Sequence, residues 1–224
     1  RLTRELVVRT ALRLMDEEGL EAVTMRRVAH ELGVEAMSLY HHVRDKEDLL
    51  GGIIEAVMEE FPVPEDHPDW REAVRRTARA WRVLLKAHPH VLTLMARRRE
   101  PLLSPRALRP LEHAVTLLRR AGLTDVGTVR ALRAFGSYIQ GSVLAEIAHL
   151  FGGEDEAPEL DLEPIRAELP ALAAHLPHLL RCDVDEEFEH GLDLLIRGLE
   201  AEVASGMREP GPGNAGNAPG TPAD

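Results

Sequence analysis

The chain has 224 residues, of which 44% are hydrophobic, 29% are charged and 4% are aromatic. Ala, Leu, Arg and Glu dominate, and the composition favours an all-α fold because these residues have high helix propensity. No apolar run approaches a membrane span, no signal peptide opens the chain, and a single cysteine excludes an internal disulfide framework. We therefore expect a cytoplasmic protein.

The net charge of −11 is unevenly distributed along the chain. Residues 1–46 contain as many Arg and Lys as Asp and Glu, so the acidic excess belongs to the rest of the protein. A protein that coats nucleic acid without sequence preference needs a basic surface throughout. The charge disfavours that class but allows a local nucleic-acid site near the start of the chain.

The first part of the chain predicts three helices. An amphipathic helix over residues 3–18 comes first. Thr24 is a good N-cap for the second helix, and Gly33 ends it because glycine adopts a left-handed conformation without steric cost. A third helix is predicted over Glu35–Val43. Two short helices joined in this way predict a helix-turn-helix, whose second helix can enter the major groove of DNA.

Longer helices follow. A fourth helix is predicted from Lys46 to about Phe61, with Asp45 as its N-cap. Body helices are predicted over residues 69–87, 125–151 and 186–205. The last two are apolar over more than one face. This predicts a dimer surface built as an intermolecular four-helix bundle, with ordinary intrachain core as the alternative.

Four arginines share one side of the helix predicted over residues 69–87. They are Arg71, Arg75, Arg79 and Arg82. Long cationic side chains at this spacing usually form a solvated face, which we predict here, and phosphate contact is the alternative.

Specific strings in the sequence resemble the TetR family of bacterial transcriptional repressors. They are EEGLEAVTMRRVAHELGV followed by SLYHHVRDKEDLL and a long helix, and EFEHGLDLLIRGLEA, which is similar to the dimer-forming last helix of the tetracycline-repressor branch. The resemblance implies an all-α protein with a three-helix helix-turn-helix head at residues 1–46. A connecting helix and linker would follow at 47–66, and a ligand-binding and dimerisation domain at 67–206. The Gly/Pro/Ala-rich residues 207–224 are predicted to be disordered.

The resemblance also implies a partner, a palindromic double-stranded DNA operator read by a homodimer. Phosphate contacts would fall to Thr24, Tyr40 and Lys46, and Arg26 would read a guanine. The residues placed against bases or the nearby backbone would be Ala36, Met37, Ser38 and His41. Repression and activation both remain open.

A small-molecule effector in the body is implied as well, and its binding would swing the fourth helix and release the DNA. The tetracycline-repressor branch holds a magnesium–tetracycline chelate with a histidine and a glutamate. The aligned positions are Met95 and Ala145, and the neighbouring Glu146 and His149 would need a shift of register. We therefore predict a hydrophobic, aromatic or polyketide-like effector, without magnesium or another cofactor. Candidate lining residues, with plain core as the alternative, are Phe61, Thr77, Trp81, Met95, His113, Phe135 and Tyr138.

An enzyme is the main rival interpretation. His175, His178 and Cys182 have the spacing of metal ligands on one helix face. Pro177 interrupts that face, and no fourth ligand, nucleophile motif or phosphate-binding loop is evident. We therefore predict that the protein is not an enzyme, and that these residues lie on a surface or in a loop.

Overall fold

The structure, a computed structural model, describes residues 1–97, 104–148, 163–179 and 183–205. Within these ranges the regular elements are helices and no strand occurs, which confirms the predicted all-α fold. The predicted disordered tail, residues 207–224, lies outside the described residues. The helices are Arg4–Glu18 (α1), Met25–Glu31 (α2), Ala36–Leu39 (α3), Lys46–Glu59 (α4), Trp70–Ala87 (α5), Pro89–Arg97 (α6), Arg109–Arg120 (α7), Asp125–Ile147 (α8), Glu163–Glu168 (α9), Pro170–Leu179 (α10) and Val184–Ser205 (α11).

The predicted cap residues delimit the helices of the head. Thr24 Oγ1 accepts a hydrogen bond from the backbone N–H of Arg27 at 3.1 Å. Asp45 Oδ1 accepts one from the backbone N–H of Asp48 at 2.7 Å. Gly33 has a φ of 66°, a left-handed conformation that residues with a Cβ rarely adopt. These interactions fix where α2 ends and where α4 begins.

The third helix is shorter than the sequence predicts. The pattern indicates a helix over Glu35–Val43, whereas regular α-helix covers only Ala36–Leu39. Beyond it the chain tightens, because the N–H of His42 bonds to the carbonyl of Leu39, three residues back, at 2.8 Å. The predicted inward face is correct, since Leu39 and Val43 are both buried.

Helix α4 packs closely on α1. A Cβ added to Gly52 would lie 2.8 Å from Val8 Cγ2, so the two helices leave no room for a side chain at this point. Arg4 of α1 donates hydrogen bonds to both carboxylate oxygens of Asp48, at 2.8 and 3.1 Å. Asp48 also accepts the backbone N–H of Arg44 at 2.8 Å. The Arg4 hydrogen bonds are the main cause that lowers the pKa of Asp48 to about 2.

The body is formed by α5 to α8 together with α11. One hydrophobic core extends from the head into the body, and α6 joins the two parts because it contacts α1 and α4 as well as α5 and α8. Among the described helices, none combines the length and apolar character needed to cross a membrane.

The arginine stripe of α5 is the predicted solvated face only in part, because Arg71 and Arg79 are exposed whereas Arg75 and Arg82 are half-buried. Its members pair with acidic side chains of α11, in reverse order along the two helices. Arg82, with only 12% of its side chain exposed, also meets Glu146 of α8 at 2.9 Å and lies over the Phe188 ring. The pairs of this α5–α11 ladder are Arg71–Glu200, Arg75–Asp193, Arg79–Glu189 and Arg82–Asp185.

Tyr138 fastens α8 to α11. Its hydroxyl donates a hydrogen bond to the carbonyl oxygen of Phe188 at 2.8 Å, and the two rings stack with centroids 5.7 Å apart. A Cβ added to Gly191 would lie 2.6 Å from Tyr138 Cζ, so the close approach depends on glycine. Helix α11 is thus held to the body by both an ionic and an aromatic contact.

Candidate nucleic-acid interface and ligand cavity

An uncharged surface extends along α3 and the turn after it. Met37 is 71% exposed and Tyr40 is 46% exposed, with His41 exposed beside them. Ala36 and Ser38 are half-buried on the same short segment. Because buried Leu39 anchors this segment, its exposed side chains are held in fixed positions. Apolar atoms here suit thymine methyl groups more than a hydrogen-bond code.

The predicted phosphate contacts lie on neighbouring elements. Thr24 is exposed just before α2, where its hydroxyl oxygen caps the helix and its proton remains available to donate. Lys46 is the first residue of α4, so its ammonium group adds to the positive end of that helix. Both positions can therefore attract an anionic backbone.

Ion pairs determine which cations of the head are available. Arg27 donates to Glu18 at 2.6 Å and to Glu31 at 3.0 Å. Arg13 also donates to Glu31, at 2.6 Å, and this hydrogen bond lowers the pKa of that carboxylate. Among residues 1–97, by contrast, Arg26 and Lys46 take part in no ion pair with the described chain. The adjacent arginines of α2 thus differ, and Arg26 is the one free to meet DNA.

A cavity of about 270 Å³ lies inside the body, which we call the main cavity. Its walls come from α4, α5, α6, α7 and α8 and are almost entirely hydrocarbon or aromatic. Thr77 and Gln140 are its polar residues, and the hydroxyl of Thr77 already donates to the Ala73 carbonyl at 2.9 Å. Such a site favours a flat or compact apolar ligand with few polar groups.

The structure brings four of the predicted lining residues together in the main cavity. They are Thr77, Trp81, Met95 and Phe135.

The other three predicted residues lie elsewhere. Phe61 stands behind the wall, with its ring centroid 4.7 Å from that of Trp81. Tyr138 points to α11, because its hydroxyl bonds to Phe188. His113 borders a different cavity, described next.

A second cavity of about 230 Å³, the side cavity, lies against the segment that links α4 to α5. Thr77 and Leu117 line both cavities and so form the wall between them. His113 Nε2 is 3.1 Å from Thr77 Oγ1, and burial lowers the pKa of this imidazole. Arg120 pairs with Asp66 at 2.7 Å on the far side. The side cavity is more polar than the main cavity, although most of its surface is also apolar.

The residues of the main cavity do not fit a magnesium chelate. Met95 presents a thioether, which is a poor ligand for a hard cation. Glu146 is occupied, since it pairs with both Arg82 and Lys86. In the described ranges, no group of three or more His, Cys, Asp and Glu side chains is placed to hold a metal ion. His149 lies outside those ranges.

The metal-binding triad of the rival interpretation receives no geometric support. His175 and His178 are exposed on α10, and His175 Nδ1 bonds to the backbone carbonyl of Ala171 at 2.8 Å. Cys182 lies outside the described residues.

Sequence reasoning missed two contacts between head and body. Met58 of α4 lines the main cavity, and its position three residues before Phe61 places both on one helix face. His88, the residue between α5 and α6, bonds to Asp16 of α1 at 2.8 Å and to Glu60, after α4, at 3.1 Å. The spacing of Met58 and Phe61 was a usable signal, whereas a contact between residues 16 and 88 leaves no trace in local periodicity.

Comparison with known proteins accounts for nearly the whole chain. Residues 7–53 match the family described as bacterial regulatory proteins, tetR family, and residues 62–203 match the tetracyclin repressor-like C-terminal domain. The transcriptional repressor DrrR1 of Streptomyces coeruleorubidus is 34% identical, over 94% of this chain and 82% of that protein. The class C tetracycline repressor of Escherichia coli is 31% identical, over 89% and 91%.

Solved structures of TetR family proteins are also similar to this chain. The TetR family protein ActR of Streptomyces coelicolor, in complex with actinorhodin, superposes with a TM-score of 0.76 at 29% identity, covering 90% of this chain and 96% of that one. These matches give no support to the enzyme alternative.

Proposed function

Because this chain belongs to the TetR family of DNA-binding transcriptional regulators, we propose that it is a repressor released from a palindromic operator by a small hydrophobic effector. The observation that carries this proposal is the contact between the main cavity and α4. Helix α4 begins at Lys46 in the head and reaches the cavity wall at Met58. One rigid element therefore touches both the surface that meets DNA and the site that accepts the effector. We place the protein in the cytoplasm, where its operator would be.

On the DNA side, α3 and the turn after it present Met37, Tyr40 and His41 to the major groove. Arg26 reads a guanine edge, since it is the unpaired arginine of α2. Thr24 and Lys46 hold the phosphate backbone on either side. Ala36 and Ser38 allow close approach of the bases because their side chains are small.

On the effector side, the hydrocarbon lining and the aromatic faces of Trp81 and Phe135 support a flat apolar molecule. The relative ActR has been solved in complex with actinorhodin, which supports a small-molecule effector for this chain as well. Met95 in place of a nitrogen ligand, and Glu146 held by Arg82, argue against a magnesium–tetracycline chelate.

Coupling between the two sites follows from shared side chains. An occupant that displaces Trp81 also displaces Phe61, because the two rings are in contact. Phe61 follows the end of α4 directly, and Met58 meets the occupant itself. A ligand shifts this equilibrium only if it binds the two positions of α4 with different affinity. Direct contact with a helix that moves supplies that difference.

Members of this family act as dimers, and we assign the dimer surface to the outer faces of α8 and α11, as the sequence predicts. Both faces expose large apolar side chains that the described chain does not cover, and such clusters are typical of subunit contacts. The exposed apolar residues are Val126, Val129, Leu144 and Ile147 on α8 and Leu194 on α11.

The proposal is tested by selecting binding sites from random DNA at a stated salt concentration. We expect a palindrome with half-sites about one helical turn apart. The selected site, labelled with a fluorophore, then reports release by anisotropy as flat apolar compounds are added. No enriched motif from ligand-stripped protein would refute operator recognition. An operator that is bound but never released by compounds that fill the main cavity would refute the effector role.

A further inference from the structure

The two cavities share one wall, and that wall is thin. Thr77 and Leu117 line both, so a single layer of side chains separates the main cavity from the side cavity. The hydroxyl of Thr77 and the imidazole of His113 meet at this point, 3.1 Å apart. Hydrogen-bonding groups are therefore concentrated where a ligand in the main cavity would come closest to the side cavity.

Together the two cavities are large enough for a ligand of ordinary size. The main cavity alone, at about 270 Å³, falls just short of the range of about 300–1,000 Å³ typical of small-molecule sites. The side cavity adds about 230 Å³. A change of rotamer at Thr77 and His113 would join them, and at Thr77 this change would exchange the hydrogen bond to the Ala73 carbonyl for one to the ligand.

The charges around the side cavity favour a cation. Arg120 is already neutralised by Asp66, to which it donates at 2.7 Å. Glu65 also lines this cavity, and its carboxylate takes part in no ion pair with the described chain. His113 adds no compensating charge, because burial lowers its pKa and keeps the imidazole neutral near pH 7. The side cavity thus carries a net negative charge.

We infer that the two cavities form one effector site, which accepts an apolar ring system bearing a protonated amine. The ring system occupies the main cavity between Trp81 and Phe135. The amine-bearing substituent passes Thr77 and His113 and ends near Glu65. This inference rests on the proposed effector role of the main cavity, and it adds the chemical class of the effector.

The test uses three synthetic anthraquinones that differ only in the end of a short side chain: a primary amine, a hydroxyl group or a carboxylate. Binding to the whole protein is followed by quenching of tryptophan fluorescence, since Trp81 lines the main cavity. We expect the amine to bind more tightly than the carboxylate by about two- to fivefold, the range for an exposed charge contact. The hydroxyl analogue should lie between them.

Variants locate the preference. Glu65→Gln should remove the advantage of the amine over the hydroxyl analogue and leave the affinity of the hydroxyl analogue unchanged. Glu112→Gln is the matched control, because it removes the same charge from an exposed position next to His113 that lines neither cavity. If Glu65→Gln still binds the amine more tightly than the hydroxyl analogue, by the same factor as the wild type, the inference is overturned.

The outcomes separate this inference from the proposed function. If the three compounds bind equally and each still releases operator DNA, the main cavity is an effector site and the side cavity is not part of it. Tighter binding of the carboxylate would also overturn the inference. If none of the three quenches tryptophan fluorescence, the effector role of the main cavity and the inference both fail.

Discussion

Asp48 stabilises the packing of α1 on α4, and replacing it with asparagine measures that contribution. In the folded protein Arg4 is the main cause that lowers the pKa of Asp48 to about 2, from an ordinary value of 3.8. The full shift corresponds to about 2.4 kcal/mol. Arg4 is 44% exposed, so solvent screens part of the interaction. We therefore expect Asp48→Asn to lower the free energy of unfolding by about 1–2 kcal/mol at pH 7.

The pH dependence gives a sharper test. A carboxylate whose pKa is depressed by folding stabilises the protein above its unfolded pKa and loses that effect as the pH falls through its folded pKa. The difference between wild type and Asp48→Asn should be constant from pH 7 to about pH 5, fall by about half near pH 3, and vanish below pH 2.

Urea unfolding followed by circular dichroism at each pH measures this difference. Glu47→Gln, on the adjacent residue of α4, controls for loss of a charge in the first helical turn. A difference that stays the same from pH 7 to pH 3 would refute the role of the Arg4–Asp48 pair.

Three further predictions concern DNA, effector and helix packing. Tyr40→Phe and Lys46→Ala should each weaken operator binding by about 1 kcal/mol, as loss of a phosphate contact does. Arg9→Ala is the control and should leave operator binding unchanged, because Arg9 lies on α1 and is paired with Glu5 of the same helix. Trp81→Ala should raise the effector concentration needed for release without changing operator affinity, and Trp70→Ala, a residue outside the main cavity, is the control. Gly191→Ala should lower stability by about 1–2 kcal/mol through overlap with Tyr138, whereas Gly198→Ala on the same helix, with open space around it, should not lower it.

Anisotropy with the selected operator and thermal unfolding provide these measurements. Parent-like DNA binding by both Tyr40→Phe and Lys46→Ala would mean that the reading surface is misplaced. Weaker DNA binding by Trp81→Ala, with release at the same effector concentration as in the wild type, would make Trp81 a core residue only. Equal stability of the two glycine variants would refute the close packing of Tyr138 against α11.

The head was predictable because its information is local. Thr24, Gly33 and Asp45 act through hydrogen bonds and backbone conformation within three residues of themselves, so their spacing predicts where the helices begin and end. The length of α3 was not predictable in the same way. Its continuation as a tighter turn at His42 depends on burying Val43 against the rest of the head, which is a tertiary effect.

The arginines of α5 show what the sequence contained but a single-helix analysis overlooked. Helix α11 carries Asp185, Glu189 and Asp193 at the spacing of one helical face. These acidic residues match the arginines of α5 in charge and spacing when the two helices run antiparallel. Considered alone, each stripe predicts a solvated face. Considered together, they predict an antiparallel helix pair. His113 and Tyr138 lie outside the main cavity for a related reason, since periodicity predicts the buried side of a helix but not the neighbour it meets there.

Helix α4 contacts the main cavity near its C-terminal end and is packed against α1 near its middle, so a push at one end would move the other. It contains 14 residues and so is about 21 Å long at 1.5 Å per residue. If it pivots where Gly52 is held against Val8, near its middle, a tilt of about 10° moves each end by about 2 Å. A hydrogen bond weakens steeply over less than 1 Å of extra length. A displacement at Phe61 smaller than the width of one methyl group would therefore take Lys46 out of register with the phosphate that we propose it contacts. Two heads moved in this way would no longer match the spacing of one operator.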